Sequence, residues 1–140
     1  MKYLIDTCVL SEFVKRKPAE SVLAWKASVS PRDQYISAIT IGEIQTGISK
    51  LDIADVKRPR LEKWLLEIQD EFADNILPFD ESVAIAWGRM YGHSLQNGRT
   101  RPLDDTKLAA TALVHAMTIV TGNVADMEGL GVPIFNPFEA

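Results

Sequence analysis

Short apolar segments alternate along this chain with longer segments whose apolar residues recur at helical spacing. Five short segments predict strands: residues 3–5, 34–39, 76–79, 117–120 and 132–135. Pro78 indicates that the third strand lies near a sheet edge or a strand end. Strands that alternate with helices predict a parallel sheet covered by helices on both faces. The residues alone therefore predict an α/β fold.

The segments between the strands predict helices of different lengths. They lie at residues 8–14, 18–27, 41–49, 57–75 and 104–115, with a short turn at 123–129. A further helix is predicted to begin at Asp80 or Ser82 and to end near Asn97. Thr40 is a good N-cap, and Glu43 follows three residues later, as in a capping box. At 140 residues, the chain is long enough for one domain with a hydrophobic core.

The overall charge is acidic, with a net charge of −4 and a pI near 5.1. This balance counts against simple electrostatic binding of nucleic acid, which favours a basic face. Cys8 is the single cysteine, so no intramolecular disulfide can form, and a reducing cytoplasm is the expected location. We expect no signal peptide and no membrane segment, because the longest apolar stretch, residues 108–120, is too short to span a bilayer.

Four acidic residues fall near the carboxyl ends of predicted strands. They are Asp6 after the first strand, Glu43 at the start of the helix after the second, Asp105 at the start of the helix before the fourth, and Asp126 after the fourth. In open parallel sheets, ligands bind at this edge. We therefore expect these four carboxylates to converge on one site.

Each acid also has a structural interpretation. Glu43 and Asp105 in a first helical turn would interact favourably with the helix dipole. Asp6 is harder to explain in this way, because we expect it to have little capping role before Thr7. Carboxylates that converge repel one another, and a hard divalent cation such as Mg²⁺ or Mn²⁺ relieves the repulsion. The four acids together therefore predict a metal-binding site.

Four motifs, in order, resemble those of the PIN-domain proteins, specifically the VapC-type toxins of toxin–antitoxin pairs. They are residues 4–12, 37–44, 105–112 and 120–126, with a closing segment at 136–138. The resemblance covers nearly the whole chain. It implies a single PIN-like domain over residues 1–140, an α/β/α sandwich with a central, mostly parallel sheet.

The resemblance also implies an activity and partners. It implies an endoribonuclease dependent on Mg²⁺ or Mn²⁺ that cleaves tRNA or another translation-related RNA by metal-activated water. It implies inhibition by a cognate VapB-type antitoxin, contact with DNA only through that antitoxin, and a homodimer. By motif position, the metal-binding and catalytic acids would be Asp6, Glu43, Asp105 and Asp126, and the supporting residues would be Thr7, Thr121 and Asn123. Spacing within the third motif favours Asp105 over Asp104, which would then be the helix N-cap.

Two of the residues that depart from the pattern of this family are expected to lie near the site. Cys8 stands where asparagine is common, and Gly122 stands where many members have arginine. The loss of an arginine would reduce positive charge near the site. Basic residues cluster at 15–17, 57–63 and 99–101, and one or two of these clusters could hold RNA if they line the rim of the pocket. The alternative is that they are solvated surface charges.

Two other classes of function remain open from the sequence. A receiver-like phosphoryl-transfer domain would need a reactive aspartate with a lysine nearby, and Lys107 is the only candidate by position. A non-catalytic interaction module would use the acidic groove to bind a basic peptide.

Overall fold

The computed structural model of the chain describes residues 1–140. The strands are β1 (Tyr3–Ile5), β2 (Gln34–Ser37), β3 (Ile76–Leu77), β4 (Thr118–Val120) and β5 (Ile134–Phe135). The α-helices are α1 (Thr7–Leu10), α2 (Glu20–Ser28), α3 (Ala38–Ser49), α4 (Arg58–Glu71), α5 (Glu81–Gln96), α6 (Leu103–His115) and α7 (Val124–Met127). Short 3-10 turns lie at Ser11–Val14, Pro31–Asp33 and Pro137–Glu139.

The five strands form one sheet in the order β3-β2-β1-β4-β5, and every pairing is parallel. Tyr3 pairs with Gln34 on one side and with Thr118 on the other, so β1 is the central strand. The two-residue strand β3 lies at an edge, next to Pro78, which cannot donate a backbone hydrogen bond to a further strand. The predicted parallel α/β sheet is confirmed.

Neighbouring residues of the central strands face opposite sides of the sheet, as the strand period of two requires. Leu4 and Ile119 pack into a core with Leu108 and other residues of α6. Ile5 and Val120 pack into a second core with residues of α2, α3 and α4. Helices thus cover both faces, which gives the predicted α/β/α sandwich.

The chain changes direction across the sheet between β1 and β4. From β1 it continues to β2 and β3 on one side, and it then crosses to β4 and β5 on the other side. In parallel α/β sheets, a crevice forms beyond the carboxyl ends of the strands at such a point. The Asp6 N–H donates to the Val120 carbonyl at 2.9 Å, so the ends of β1 and β4 meet there.

Helix α3 begins three residues earlier than the sequence predicted. The Ser37 hydroxyl, not that of Thr40, caps the helix by accepting a hydrogen bond from the Ile39 N–H at 3.0 Å. Thr40 is buried inside the first turn. The predicted capping box is therefore wrong, and Glu43 lies in the second turn.

None of the helices has both the length and the apolar composition that crossing a membrane requires.

Candidate active site

Asp6 occupies the end of the central strand and is 5% exposed. One carboxylate oxygen accepts a hydrogen bond from the Thr7 N–H at 2.7 Å, which makes Asp6 the N-cap of α1. The expectation that Asp6 has little capping role is therefore wrong, because α1 starts directly at Thr7. The other oxygen accepts from the Thr121 hydroxyl at 2.7 Å and from the Cys8 thiol at 3.6 Å. These contacts hold the carboxylate in one orientation.

Thr121 links the ends of β1 and β4. Its buried hydroxyl donates to Asp6 and accepts from the Asn123 N–H at 2.9 Å. Asn123 therefore supports the site through its backbone. Because the hydroxyl donates one hydrogen bond and accepts another within the protein, Thr121 fixes the carboxylate of Asp6 relative to the loop that follows β4.

Glu43 projects from the second turn of α3 and is half-buried. The Thr7 hydroxyl donates to its Oε1 at 3.1 Å, so Thr7 joins two of the predicted acids by backbone and side chain. Burial, followed by the charges of Asp6, Asp104 and Asp105, raises the pKa of Glu43 to about 7 although the Thr7 bond lowers it. A helix-dipole role does not explain Glu43 in this position, because the dipole acts mainly on the first turn.

Asp105 lies in the first turn of α6 and is half-buried, whereas Asp104 is exposed. Burial raises the pKa of Asp105 to about 6, with further contributions from the charges of Asp6, Asp126 and Asp104. The N-cap of α6 is Pro102, so the expectation that Asp104 caps this helix is wrong. Asp105 is the more buried of the two, whereas Asp104 lines the cleft beside Glu43 and its charge acts on Glu43 more than that of Asp105 does.

Asp126 lies in the short helix α7 and is exposed. Its charge contributes to the raised pKa of Asp105, so the two carboxylates face the same region. The four predicted acids therefore lie close enough together for their charges to act on one another. Asp6 and Glu43 are linked through Thr7, and Asp126 lies at the outer side.

The acids do not form a ready-made cluster of metal ligands. No group of three or more Asp, Glu, His or Cys side chains is placed to hold a metal ion directly. The donor set nevertheless fits a hard divalent cation, because it is made of oxygens and because burial and mutual repulsion raise two of the pKa values. Mg²⁺ usually keeps several waters and uses only one or two carboxylates directly. We conclude that the residues fit a hydrated Mg²⁺ or Mn²⁺ ion.

Two clefts meet at Glu43. One has a volume of about 460 Å³ and extends along α3 past Gly42 and Gly47 to Lys50, with Asp104 on its other wall. The second, of about 250 Å³, is lined by Thr7, Ser11, Ile44, Ile48, Leu61 and Trp64 among others. Solvent and an extended ligand therefore have access to Glu43 from two directions.

Of the two arginines in the loop at 97–102, Arg101 is buried and Arg99 is exposed. Arg101 is 6% exposed and donates to the backbone carbonyls of Asp126 and Glu128. The exposed Arg99 donates to the Ala125 carbonyl at 3.2 Å. Arg101 is therefore not part of a basic rim, and sequence analysis missed its inward orientation. A long arginine side chain can point into the protein or out into solvent, and no local sequence pattern distinguishes these two orientations.

The other basic clusters are partly neutralised. Lys15 pairs with Glu12, Arg58 with Glu62 at 3.5 Å, and Lys63 with Glu67 at 3.9 Å. These contacts favour the interpretation of these clusters as solvated surface charges. Lys50, which lies outside the predicted clusters, lines the larger cleft beside Glu43.

The two departures from the family pattern have local explanations. A Cβ atom added to Gly122 would lie 3.0 Å from two ring carbons of Phe138, so the aromatic ring takes the space of a side chain. Cys8 accepts a hydrogen bond from the Gly122 N–H at 3.5 Å and donates to Asp6. Burial, followed by the charge of Asp6, raises the pKa of the thiol, so Cys8 acts as a neutral hydrogen-bonding group.

The position of Lys107 counts against a receiver-like site. Its ammonium group lies over the ring of Trp87, 5.4 Å from the centroid, and over the ring of Phe79 at 5.8 Å. The indole N–H of Trp87 in turn donates to the Thr106 hydroxyl at 3.0 Å. The ammonium group is thus held by aromatic faces, whereas a receiver-like site would place it against a reactive aspartate.

Comparisons with known proteins agree with the fold. Residues 3–125 match the model of the PIN domain family. The chain is 36% identical over 138 residues to toxin FitB of Neisseria gonorrhoeae, with 96% of this chain and 97% of FitB covered. It is 30% identical over 136 residues to VapC ribonuclease Y4jK of Sinorhizobium fredii, with 97% of each chain covered. The crystal structure of FitAcB from Neisseria gonorrhoeae has a TM-score of 0.87 at 34% identity and covers 99% of both chains.

The family match spans most of the chain and contains Asp6, Glu43 and Asp105. Together with the parallel sheet and the acidic edge, it shows that this chain belongs to the PIN domain family, with the FitB and VapC proteins among its relatives.

Proposed function

We propose that this protein is an endoribonuclease of the VapC type, dependent on Mg²⁺ or Mn²⁺. The observation that carries the proposal is the acidic crevice at the switch point of the sheet, where Asp6 is held by Thr7 and Thr121 and faces Glu43 and Asp105. The ribonuclease names of relatives such as VapC of Sinorhizobium fredii support RNA as the substrate. A shorter match, 23% identical over 131 residues, is a tRNA(fMet)-specific endonuclease of Shigella flexneri.

In this proposal each residue has a defined task. Asp6, Glu43 and Asp105 hold the cation directly or through water, and Asp126 completes the pocket on its outer side. A divalent cation supplies, when bound, an activated water and neutralisation of the charge that develops at phosphorus. Thr7 and Thr121 keep the carboxylates oriented before the RNA arrives, which lowers the reorganisation needed during the reaction.

The proposal includes partners and location. We propose a VapB-type antitoxin as the inhibitor, a homodimer as the assembly, contact with DNA only through the antitoxin, and a cytoplasmic location. The relative FitB is named a toxin, and a structure at 35% identity and a TM-score of 0.86 is FitAB bound to an IR36 DNA fragment.

The test is cleavage of a purified tRNA pool by the wild-type chain and by Asp6→Asn, with Mg²⁺, with Mn²⁺ and with a chelator. We expect cleavage by the wild type with either ion, none with the chelator, and a loss of at least about a hundredfold in the variant. Asp33→Asn, on a distant 3-10 turn, is the matched control. Cleavage by Asp6→Asn at the wild-type rate would refute the proposal, and metal-independent binding of RNA without cleavage would favour a non-catalytic groove.

A further inference from the structure

Arg101 is buried and forms no direct ion pair with an acidic side chain, although the charge of Asp126 acts favourably on it. Arginine is almost never fully buried unless it is paired, yet none of the ion pairs in the protein involves Arg101. Its Nη1 donates to the Asp126 carbonyl at 2.8 Å and its Nη2 to the Glu128 carbonyl at 2.6 Å. Its Nε is buried and has no partner. The side chain is therefore held by two backbone carbonyls, at the cost of burying a charge.

These two carbonyls lie at the carboxyl end of α7, which runs from Val124 to Met127. The last carbonyls of a helix have no partner within the helix, and a cation there is favourable. Such a short helix has little stability of its own. Arg101 therefore supplies an anchor that α7, which carries Asp126, does not provide for itself.

The other end of the anchor is the start of α6. Arg101 is followed by Pro102, the N-cap of α6, and the Pro102 carbonyl accepts from the Thr106 N–H at 3.2 Å. Asp105 lies in that first turn. One side chain thus connects the backbone turns that carry Asp105 and Asp126.

Gly129 leaves the space that this contact needs. Its φ is +82°, a conformation that favours glycine, and a Cβ atom there would lie 3.2 Å from the Nη2 of Arg101. A side chain at position 129 would therefore press on the guanidinium group of Arg101 and strain the backbone.

We propose that Arg101 is a positioning residue that fixes Asp126 relative to Asp105 by clamping the end of α7. This inference rests on the proposed function for its catalytic consequence. The exposed Arg99, which donates to the carbonyl of Ala125, has a smaller share in the same clamp.

The first experiment needs no activity. Hydrogen exchange is measured on the wild type, Arg101→Lys and, as the matched control, Arg32→Gln, which changes an exposed arginine on the distant 3-10 turn Pro31–Asp33. Lysine keeps the charge but has no planar fork that reaches both carbonyls at once. We expect Arg101→Lys to speed exchange about tenfold in residues 124–130 only, because one charge-assisted hydrogen bond is lost. Unchanged exchange in this segment would overturn the proposal. Arg101→Gln, which removes the charge and one arm of the fork but keeps a hydrogen-bond donor, is the second variant with the same expectation, should Arg101→Lys not fold.

The second experiment separates positioning from a general structural role. RNA cleavage and Mn²⁺ affinity are measured for Arg101→Lys, Asp126→Asn and the double variant. We expect Arg101→Lys alone to lower kcat about tenfold with little change in KM, and to add no loss in the Asp126→Asn background. An equal loss in both backgrounds would overturn the proposal. If Asp126→Asn leaves no measurable cleavage, the Mn²⁺ affinities of the same variants are compared instead. Arg101→Lys should weaken Mn²⁺ binding in the wild-type background but not in the Asp126→Asn background, and an equal loss in both would overturn the proposal. A wild-type chain that neither cleaves RNA nor binds Mn²⁺ would refute the proposed function, whereas missing coupling in an active chain would refute only the role of Arg101.

Discussion

The substitution Asp105→Asn is expected to stabilise the metal-free protein while it removes a carboxylate from the active site. Asp105 is half-buried, and no hydrogen bond contributes to its raised pKa. Asparagine has nearly the same shape and carries no charge. The substitution therefore removes the burial penalty and the repulsion from Asp6, Asp126 and Asp104 without the loss of a stabilising contact.

The size of the effect follows from the pKa. A rise from the ordinary value of 3.8 to about 6 disfavours the charged form by about 3 kcal/mol. Because the carboxylate is only half-buried, solvent screens part of this energy, and we expect a gain of about 1.5 kcal/mol in the free energy of unfolding. The exposed neighbour Asp104 is the matched control, and Asp104→Asn should change the free energy by less than about 0.5 kcal/mol.

The gain must depend on pH with a defined sign. Since the pKa of Asp105 is higher in the folded state than in the unfolded state, ionisation destabilises the protein as the pH rises from about 4 to about 6. Asp105→Asn should therefore be more stable than the wild type at pH 8, and the difference should vanish near pH 4 or below.

Urea unfolding in the presence of a chelator, at pH 8 and at pH 4, measures both values. Addition of Mn²⁺ at pH 8 should stabilise the wild type and reduce the advantage of the variant, because a ligand that binds only the folded state raises its stability. The reasoning is refuted if Asp105→Asn is less stable than the wild type at pH 8, or if the difference between them is the same at both pH values.

Two further predictions concern the residues around Asp6. Thr121→Val should lower the free energy of unfolding by about 2 kcal/mol, because a fully buried hydroxyl donates to a carboxylate. Thr118→Val at the start of β4, where the hydroxyl contacts only the Met1 sulfur at 3.7 Å, should be close to neutral, and equal losses in urea unfolding would contradict this. Gly122→Ala should lower the free energy of unfolding by about 1 kcal/mol, because the added methyl group would press against the Phe138 ring. The loss caused by Gly122→Ala should be much smaller when Phe138 is also replaced by alanine, and additive losses would show that the ring does not cause the strain.

The sheet edge could be predicted because it follows from a strong periodic pattern. The central strand β1, Tyr3–Ile5, is buried on both faces, and its run of apolar residues is visible in the sequence. A parallel sheet then brings Asp6 and the starts of α3 and α6 to one edge, whatever the details of packing. Glu43 and Asp105 were predicted at this edge for that reason.

The details that could not be predicted depend on single hydrogen bonds. Ser37 and Thr40 are both favourable N-cap residue types, and the end of β2 at Ser37 decides between them. The inward turn of Arg101 depends on carbonyls 25 and 27 residues away, at Asp126 and Glu128. Neither contact leaves a periodic signal, so the sequence misplaced the start of α3 and did not reveal that Arg101 is buried.

The central claim is that the acidic crevice binds the divalent cation used for RNA cleavage. Crystals of the protein soaked in Mn²⁺ and measured at the manganese absorption edge test this most directly. We expect an anomalous peak among Asp6, Glu43 and Asp105, with the peak lost in Asp6→Asn crystals. A wild-type crystal without a peak at this position, from a protein that still cleaves RNA in the presence of a chelator, would contradict the claim.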